Sequence, residues 1–133
     1  MTYLSSPVAA LVFGLVFLCA VTCAHFDELS TAPLSVVPDW AAGVFLVGAA
    51  VAGRRDWTEG RVYQVAAWAF TASLLFASTV GNFEEWQAAP EQGGASGLVS
   101  MSQGTYLAIV TALFLVALVG LIASLRARGA RRE

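Results

Sequence analysis

The sequence contains no lysine and few charged residues of any kind. Charged residues make up 12% of its 133 residues, whereas hydrophobic residues make up 58%, and the mean hydropathy is +0.72. Soluble domains are usually about a quarter charged and about half apolar. The composition therefore argues against an ordinary soluble surface and indicates a chain whose exterior faces lipid. The length suits a single domain.

The sequence also lacks the common motifs of soluble enzymes. It has no phosphate-binding loop, dinucleotide fingerprint, HExxH zinc motif or nucleophile elbow. His25 is the only histidine, which excludes a bis-histidine haem or a multi-histidine zinc site within one chain. Cys19 and Cys23 lie one helical turn apart, where a disulfide has poor geometry. We therefore expect no enzyme activity and no cofactor, and the sequence leaves open whether a metal binds.

Four long apolar runs dominate the chain. A helix needs about 20 apolar residues to cross the hydrocarbon core, and helices satisfy their backbone groups within lipid. We therefore predict an all-α fold, an integral membrane four-helix bundle forming one four-span domain over residues 1–133. The predicted spans are Leu4–Phe26, Val36–Gly53, Val62–Phe83 and Gly104–Leu125.

All seven cationic residues are arginine, and their positions orient the chain. Three lie between the second and third spans, and four follow the fourth span. Arginine-rich segments stay on the cytoplasmic side of a membrane. We therefore predict a bacterial-type cytoplasmic (inner) membrane protein with both termini in the cytoplasm. The segments predicted outside hold six acids and no cation, namely Asp27, Glu28, Asp39, Glu84, Glu85 and Glu91.

One segment occurs twice in the chain. Val8–Pro33 and Val65–Pro90 are 57 residues apart and share 11 of 26 residues without gaps. Each copy is an apolar helix that ends in Phe and two acids. A repeat at a fixed period constrains the architecture. We therefore predict an internal repeat over 8–53 and 65–125, which forms two tandem helical hairpins of the same orientation, related by a pseudo-two-fold axis along the membrane normal.

The connections between the spans carry ordinary turn and loop signals. Pro38 suits the first turn of the second helix, and Asp39 suits its positive end. Arg54–Arg61 is expected to be a loop between the second and third helices. Glu91–Gly104 is rich in Gly and Ser and is expected to be a flexible outer loop.

The repeated helix ends supply the leading candidate site, an outer acidic cluster. Carboxylates combined with an imidazole or an amide suit a divalent cation, and the single histidine suits a pH switch. The alternative is that the acids only hydrate the outer helix ends. The cluster consists of His25, Asp27, Glu28, Asn82, Glu84 and Glu85.

A polar stripe follows one face of the third span. Gln64, Thr71 and Ser78 are spaced at helical sevens and continue to Asn82 and Glu85, so they share a face. Polar groups in lipid turn toward a protein neighbour or a watery path. The stripe therefore either forms helix–helix hydrogen bonds or lines a path for a ligand.

Small residues on the second span predict close helix packing. Ala49 and Gly53 form a small-xxx-small pair, and Gly43 and Gly48 add flat surface. Such residues let helix backbones approach closely in lipid. The pattern does not distinguish packing within the bundle from packing between proteins.

Smooth spans that are poor in charge and rich in small residues favour packing over transport. We therefore expect a non-catalytic accessory or assembly subunit of a larger membrane complex, or a homo-oligomer. Its partners would be the lipid bilayer and other membrane subunits or itself, and no nucleic acid. The alternative is a small cation or metabolite transporter or channel that uses the outer acidic cluster as its entry. A membrane enzyme or redox accessory using His25 and the cysteines is a third class.

Overall fold

The computed structural model describes residues 6–89, 93–95 and 101–129. It is an all-helical bundle apart from one short strand pair, so the predicted fold class is confirmed at that level. Four of its helices are long and apolar enough to cross a membrane. In chain order the elements are α1 (Pro7–Ala24), α2 (Glu28–Thr31), α3 (Pro33–Arg55), α4 (Trp57–Ala88), β1 (Gly93–Ala95), β2 (Met101–Ser102) and α5 (Gln103–Gly129).

The ends of α1 differ slightly from the predicted first span. Ser6 caps the helix, since its hydroxyl oxygen accepts a hydrogen bond from the Ala9 amide at 3.2 Å, and Pro7 occupies the first turn. Serine is favoured as an N-cap, and proline is favoured in the first turn of a helix. The helix ends at Ala24, before Phe26. The predicted start at Leu4 lies outside the described residues.

The second long helix begins earlier than predicted. It starts at Pro33, so Pro38 lies inside α3 rather than at its first turn. Pro33 fits the first turn as well as Pro38 does. The Ser35 hydroxyl also ties this turn to α2, because it donates to the Glu28 carboxylate at 2.8 Å. Asp39 consequently lies in the second turn of α3.

The predicted arginine loop at 54–61 is almost entirely helical. Only Asp56 separates α3 from α4, and its amide still donates to the Ala52 carbonyl at 3.0 Å. A Cβ atom added at Gly60 would overlap the backbone of Gly53. Two glycines therefore let the two helices turn directly into each other, which the sequence pattern did not reveal.

The predicted outer loop contains regular structure. Within its described part, β1 pairs antiparallel with β2, and α5 begins at Gln103. The predicted loop is thus wrong at Gly93–Ala95 and Met101–Ser102, which are strands, and at Gln103–Gly104, which begin α5. Its remaining residues before Met101 lie outside the described part of the chain.

The long helices pack in chain order. Close backbone approaches join α1 to α3, α3 to α4, and α4 to α5, with a smaller contact between α1 and α4. The two repeat copies correspond to α1–α3 and α4–α5, and the symmetry between them stays a prediction. The largest buried side chains are Trp68, Phe17 and Leu46. They form one apolar core along the bundle.

Candidate functional site

One end of the bundle collects most of its polar side chains, and we call it the acidic end. It comprises the C-terminal turns of α1 and α4, the helix α2, and the N-terminal turns of α3 and α5. The opposite end carries Arg54, Arg55 and Arg61. The acidic end holds two hydrogen-bonded groups and, next to them, a cavity.

The first group is centred on His25, which follows the last residue of α1. Its Nδ1 lies 3.1 Å from Glu28 Oε1, and its Nε2 lies 3.2 Å from the Tyr106 hydroxyl. A carboxylate only accepts hydrogen bonds, so Nδ1 carries the proton in this contact. A second hydrogen bond joins Nε2 to the Tyr106 hydroxyl. The group therefore links α1, α2 and α5 through one chain of hydrogen bonds.

Glu28 is the acid that this chain stabilises. The hydrogen bond from His25, and then the hydrogen bond from Ser35, lower the pKa of Glu28 below its usual value. A hydrogen bond donated to the charged form of an acid favours that form. The carboxylate side chain remains partly open to solvent, so the effect on stability is small.

The second group is centred on Gln103, the first residue of α5. Its Nε2 donates to Asn82 Oδ1 at 3.1 Å and to Glu85 Oε2 at 3.2 Å. Asn82 in turn donates to the Ser78 carbonyl at 2.8 Å. Gln103 is only 4% exposed. A buried amide with these partners fixes the start of α5 against the last turns of α4.

The structure divides the six residues of the predicted outer acidic cluster. His25 and Glu28 belong to the first group, and Asn82 and Glu85 belong to the second. Asp27 and Glu84 have exposed side chains. Among the described residues, no three His, Cys, Asp or Glu side chains lie close enough together to hold a metal ion. The helix ends are thus neighbours, but their carboxylates do not converge on one point.

The predicted polar stripe faces the interior of the bundle. Gln64 and Thr71 are buried, at 2% and 0% exposed, and Ser78 borders the cavity. The Thr71 hydroxyl donates to the Ala67 carbonyl at 2.8 Å, so it bonds within its own helix. Gln64 Nε2 finds no hydrogen-bond partner in the described part of the chain. Buried Trp68 and Leu75 separate the polar members.

The four predicted packing residues of α3 separate into two kinds. Gly43, Ala49 and Gly53 are buried inside the bundle. A Cβ atom at Gly43 would lie 2.5 Å from Leu18 Cγ. Gly48 is exposed, and a Cβ atom there would meet nothing within 4 Å. Close packing within the bundle therefore explains three of the four residues but not Gly48.

The cavity lies between α1 and α5, which have hardly any close backbone approach to each other. Its volume is about 240 Å³. The polar groups at its border are His25, Tyr106, Ser78 and Asp39. The other lining residues are apolar or weakly polar, namely Phe17, Ala20, Val21, Cys23, Ala24, Leu75, Met101, Ile109, Val110 and Leu113. A mostly apolar concavity with a few polar groups is the usual form of a small-molecule site.

Sequence reasoning missed several residues of this end. Asp39 looked like a surface acid, because the helix was expected to begin beside it. Gln103 looked like part of a loop, because it falls within the predicted outer loop Glu91–Gly104. A second signal was present for Asp39, since Pro33 offers an alternative helix start six residues earlier. Nothing in the local pattern indicated the contact between His25 and Tyr106, which are 81 residues apart.

Comparison of the chain with protein-family models, with curated proteins and with solved structures gives no match. The acidic end offers hydrogen-bond acceptors and carboxylates around an apolar cavity, and the rest of the bundle offers tightly packed helices.

Proposed function

We propose that this protein is a non-catalytic membrane protein that acts by associating with other proteins in the bilayer, as an accessory or assembly subunit of a larger complex or as a homo-oligomer. The proposal includes a bacterial-type inner membrane and both termini in the cytoplasm. The observation that carries it is Gly48, an exposed glycine in the middle of a long apolar helix. Four helices suited to a membrane by length and composition are consistent with it.

Gly48 makes no close packing contact in the part of the bundle that the structure describes. Exposed Val44 and Val51 lie on the same side of α3, and open space surrounds the position that a Cβ atom would take. A glycine in a helix interior costs about 1 kcal/mol relative to alanine. In lipid, helices associate where small residues let their backbones approach. A partner helix packed over Gly48 would use the flat surface that the monomer leaves open.

A second exposed glycine supports the same interpretation. Gly81 of α4 also has nothing within 4 Å of an added Cβ atom. Exposed Ser73 and Ala77 precede it at intervals of one turn, which places the three on one side of α4. Two neighbouring helices therefore each present a small-residue position to the exterior.

The test is purification of the full chain from native membranes with a tag on its C-terminal tail. We expect native mass spectrometry to find a second copy or a different membrane subunit bound to it. Gly48→Leu should reduce the bound fraction about tenfold, which corresponds to about 1.4 kcal/mol, since its Cβ atom meets nothing within 4 Å in the monomer and its side chain would occupy the proposed contact. Ala112→Leu is the matched control, because Ala112 is exposed on α5 and should leave association unchanged.

A monodisperse monomer with no co-purifying protein would remove the basis of the proposal. A second copy bound to the chain identifies a homo-oligomer, and a different subunit identifies a complex. Equal association of Gly48→Leu and Ala112→Leu would show that α3 does not provide the interface.

The second candidate is a small transporter or channel, and the buried polar stripe of α4 is the observation that favours it. Gln64 has an amide with no partner in the described residues, as expected of a group that meets a passing ligand. Trp68 and Leu75 would have to move before a solute could pass Thr71. Liposome flux that falls with Asn82→Ala and Glu85→Gln would support transport, and flux unaffected by both would count against this path.

A further inference from the structure

The cavity between α1 and α5 has one polar end, where Asp39 provides a carboxylate. This side chain borders the cavity and lies within electrostatic range of His25 and Glu28. No residue in the described part of the chain donates a hydrogen bond to it. A partly buried carboxylate without a donor is costly, and a ligand entering the cavity would meet it directly.

The neighbouring side chains of His25, Glu28 and Tyr106 already form hydrogen bonds with one another. His25 Nδ1 bonds to Glu28, and the Tyr106 hydroxyl bonds to His25 Nε2. Whichever of the two atoms donates in that bond, the Tyr106 oxygen keeps a lone pair, and Tyr106 borders the cavity. The Asp39 carboxylate can only accept hydrogen bonds, so the cavity end suits a ligand with a hydrogen-bond-donating head.

The sign of the local charge further limits the chemical class of the ligand. All seven cations of the sequence are arginines at residue 54, 55, 61 or beyond 125, and none lies at the acidic end. Asp39 and Glu28 are acids. An anionic head or a phosphate would face these carboxylates with no compensating cation, whereas an ammonium would pair with Asp39 by a charge-assisted hydrogen bond.

The remainder of the cavity suits an apolar body. Phe17 and Tyr106 border it with aromatic rings, and Leu75, Val110 and Leu113 provide aliphatic surface. Aromatic faces also attract a nearby cation. Ala20, Cys23 and Ile109 are exposed at its border, so the cavity is reached from the surface between α1 and α5. A volume of about 240 Å³ admits a small molecule and not a whole phospholipid.

We propose that the cavity between α1 and α5 binds a small lipophilic amine, with its ammonium at Asp39 and its apolar body between the two helices. This site is independent of the association proposed at Gly48, which lies on the exterior of α3. The ligand is a free amine rather than an aminophospholipid, because a phosphate would lie beside Asp39 and Glu28 without a cation.

The test uses the full chain in phosphatidylcholine nanodiscs, with tritiated 4-phenylbutylamine as the probe. We expect saturable binding of the probe. Unlabelled 4-phenylbutylamine should displace it, and the uncharged 4-phenylbutanol should displace it at least tenfold less effectively. Asp39→Asn keeps the shape of the side chain and removes its charge. It should weaken binding about 10- to 100-fold, the range for a hydrogen bond to a charged group.

A second pair of variants tests the cavity without changing any charge. Ala20→Phe fills the space between α1 and α5 and should abolish binding. Ala108→Phe places the same side chain at an exposed position of α5 that does not border the cavity, and binding should persist. This pair keeps the test decisive if Asp39→Asn is poorly folded.

Several results would overturn the proposal. Equal binding of the amine and the alcohol, or unchanged binding by a folded Asp39→Asn, would show that no charge is recognised. Unchanged binding by Ala20→Phe would place the probe elsewhere, and absence of saturable binding would remove the site. Competition from added phosphatidylethanolamine would overturn the assignment to a free amine.

Discussion

The contacts between consecutive long helices differ from the contact between α1 and α5. Each consecutive pair meets at glycine: Gly14 and Gly43 join α1 to α3, Gly53 and Gly60 join α3 to α4, and Gly120 lies against Trp68 where α5 meets α4. The contact between α1 and α5 has no glycine among the residues that border its cavity. The backbones stay apart there, and a hydrogen bond between His25 and Tyr106 spans the gap.

This difference shows that two kinds of contact stabilise one apolar bundle: close backbone packing at glycine and a hydrogen bond between side chains. In lipid there is little hydrophobic gain from helix association, so van der Waals contact and hydrogen bonds must stabilise it. Glycine gives contact along the backbone and leaves no space. Side chains that meet only at their ends leave a cavity, and the cavity is where a ligand has room to bind.

The largest effect is expected where two backbones meet. Gly60→Ala would place a methyl group in the backbone of Gly53, which cannot move aside as a side chain can. We expect a loss of about 3 kcal/mol in the free energy of unfolding, at the upper end of the usual cost of overpacking. Steric trapping of the unfolded state in bicelles measures it. Gly81→Ala is the control, since its methyl group meets open space, and an equal loss there would show that glycine content, not contact, matters.

The second-largest loss of stability is expected where Gly120 of α5 packs against Trp68 of α4. A Cβ atom at Gly120 would lie 2.8 Å from two ring carbons of Trp68, and this ring is 1% exposed and tilted against Phe13. Gly120→Ala should therefore cost about 1–3 kcal/mol and shift the indole fluorescence, because the ring must rotate or move. Gly120→Ala combined with Trp68→Phe should recover part of the loss. If the double variant recovered nothing, the contact between Gly120 and Trp68 would not be the cause.

The glycine contacts and the contact between α1 and α5 differ in how well the sequence predicts them. The four apolar helices followed from run length and hydropathy, because each helix satisfies its backbone alone. Gly43 and Gly53 were expected in close packing for the same local reason, since small residues on an apolar helix have few other uses. These features need no knowledge of which helix lies beside which.

The acidic end was less predictable, because it depends on pairing between distant helices. Asn82 and Glu85 were singled out as repeated helix-end residues, but their partner Gln103 lies 21 and 18 residues away in the chain. Asp39 was expected at a helix start, and its place at the cavity followed from α3 beginning at Pro33 instead. A difference of three residues between the predicted start at Val36 and the observed start at Pro33 therefore hid the residue on which the cavity's chemistry depends.

A smaller effect is expected in the contact between α1 and α5. Tyr106→Phe removes the hydrogen bond to His25 and leaves the aromatic ring, which lies edge-on to the imidazole at a centroid distance of 6.5 Å. Interhelical hydrogen bonds in membrane proteins average about 0.6 kcal/mol, so we expect a loss of that order in the same unfolding assay. Tyr63→Phe is the control, since Tyr63 is exposed on α4. A loss above about 2 kcal/mol would mean that this contact is as important as the glycine contacts.

The smallest effect is a dependence on pH at the same contact. Glu28 has a lowered pKa in the folded protein because His25 and Ser35 donate hydrogen bonds to it. Its stabilising contribution is therefore fully present above the ordinary pKa of about 4.5 and is lost as the pH falls through the lower folded value. Between these two pH values the folded protein keeps an ionised carboxylate that the unfolded chain has already protonated.

Glu28→Gln should flatten the fall in unfolding free energy below pH 4.5. Glu84→Gln, which changes an exposed acid of the same end, should leave this fall unchanged. An equal flattening in both variants would assign the effect to the net charge of the acidic end rather than to the hydrogen bonds that join α1, α2 and α5.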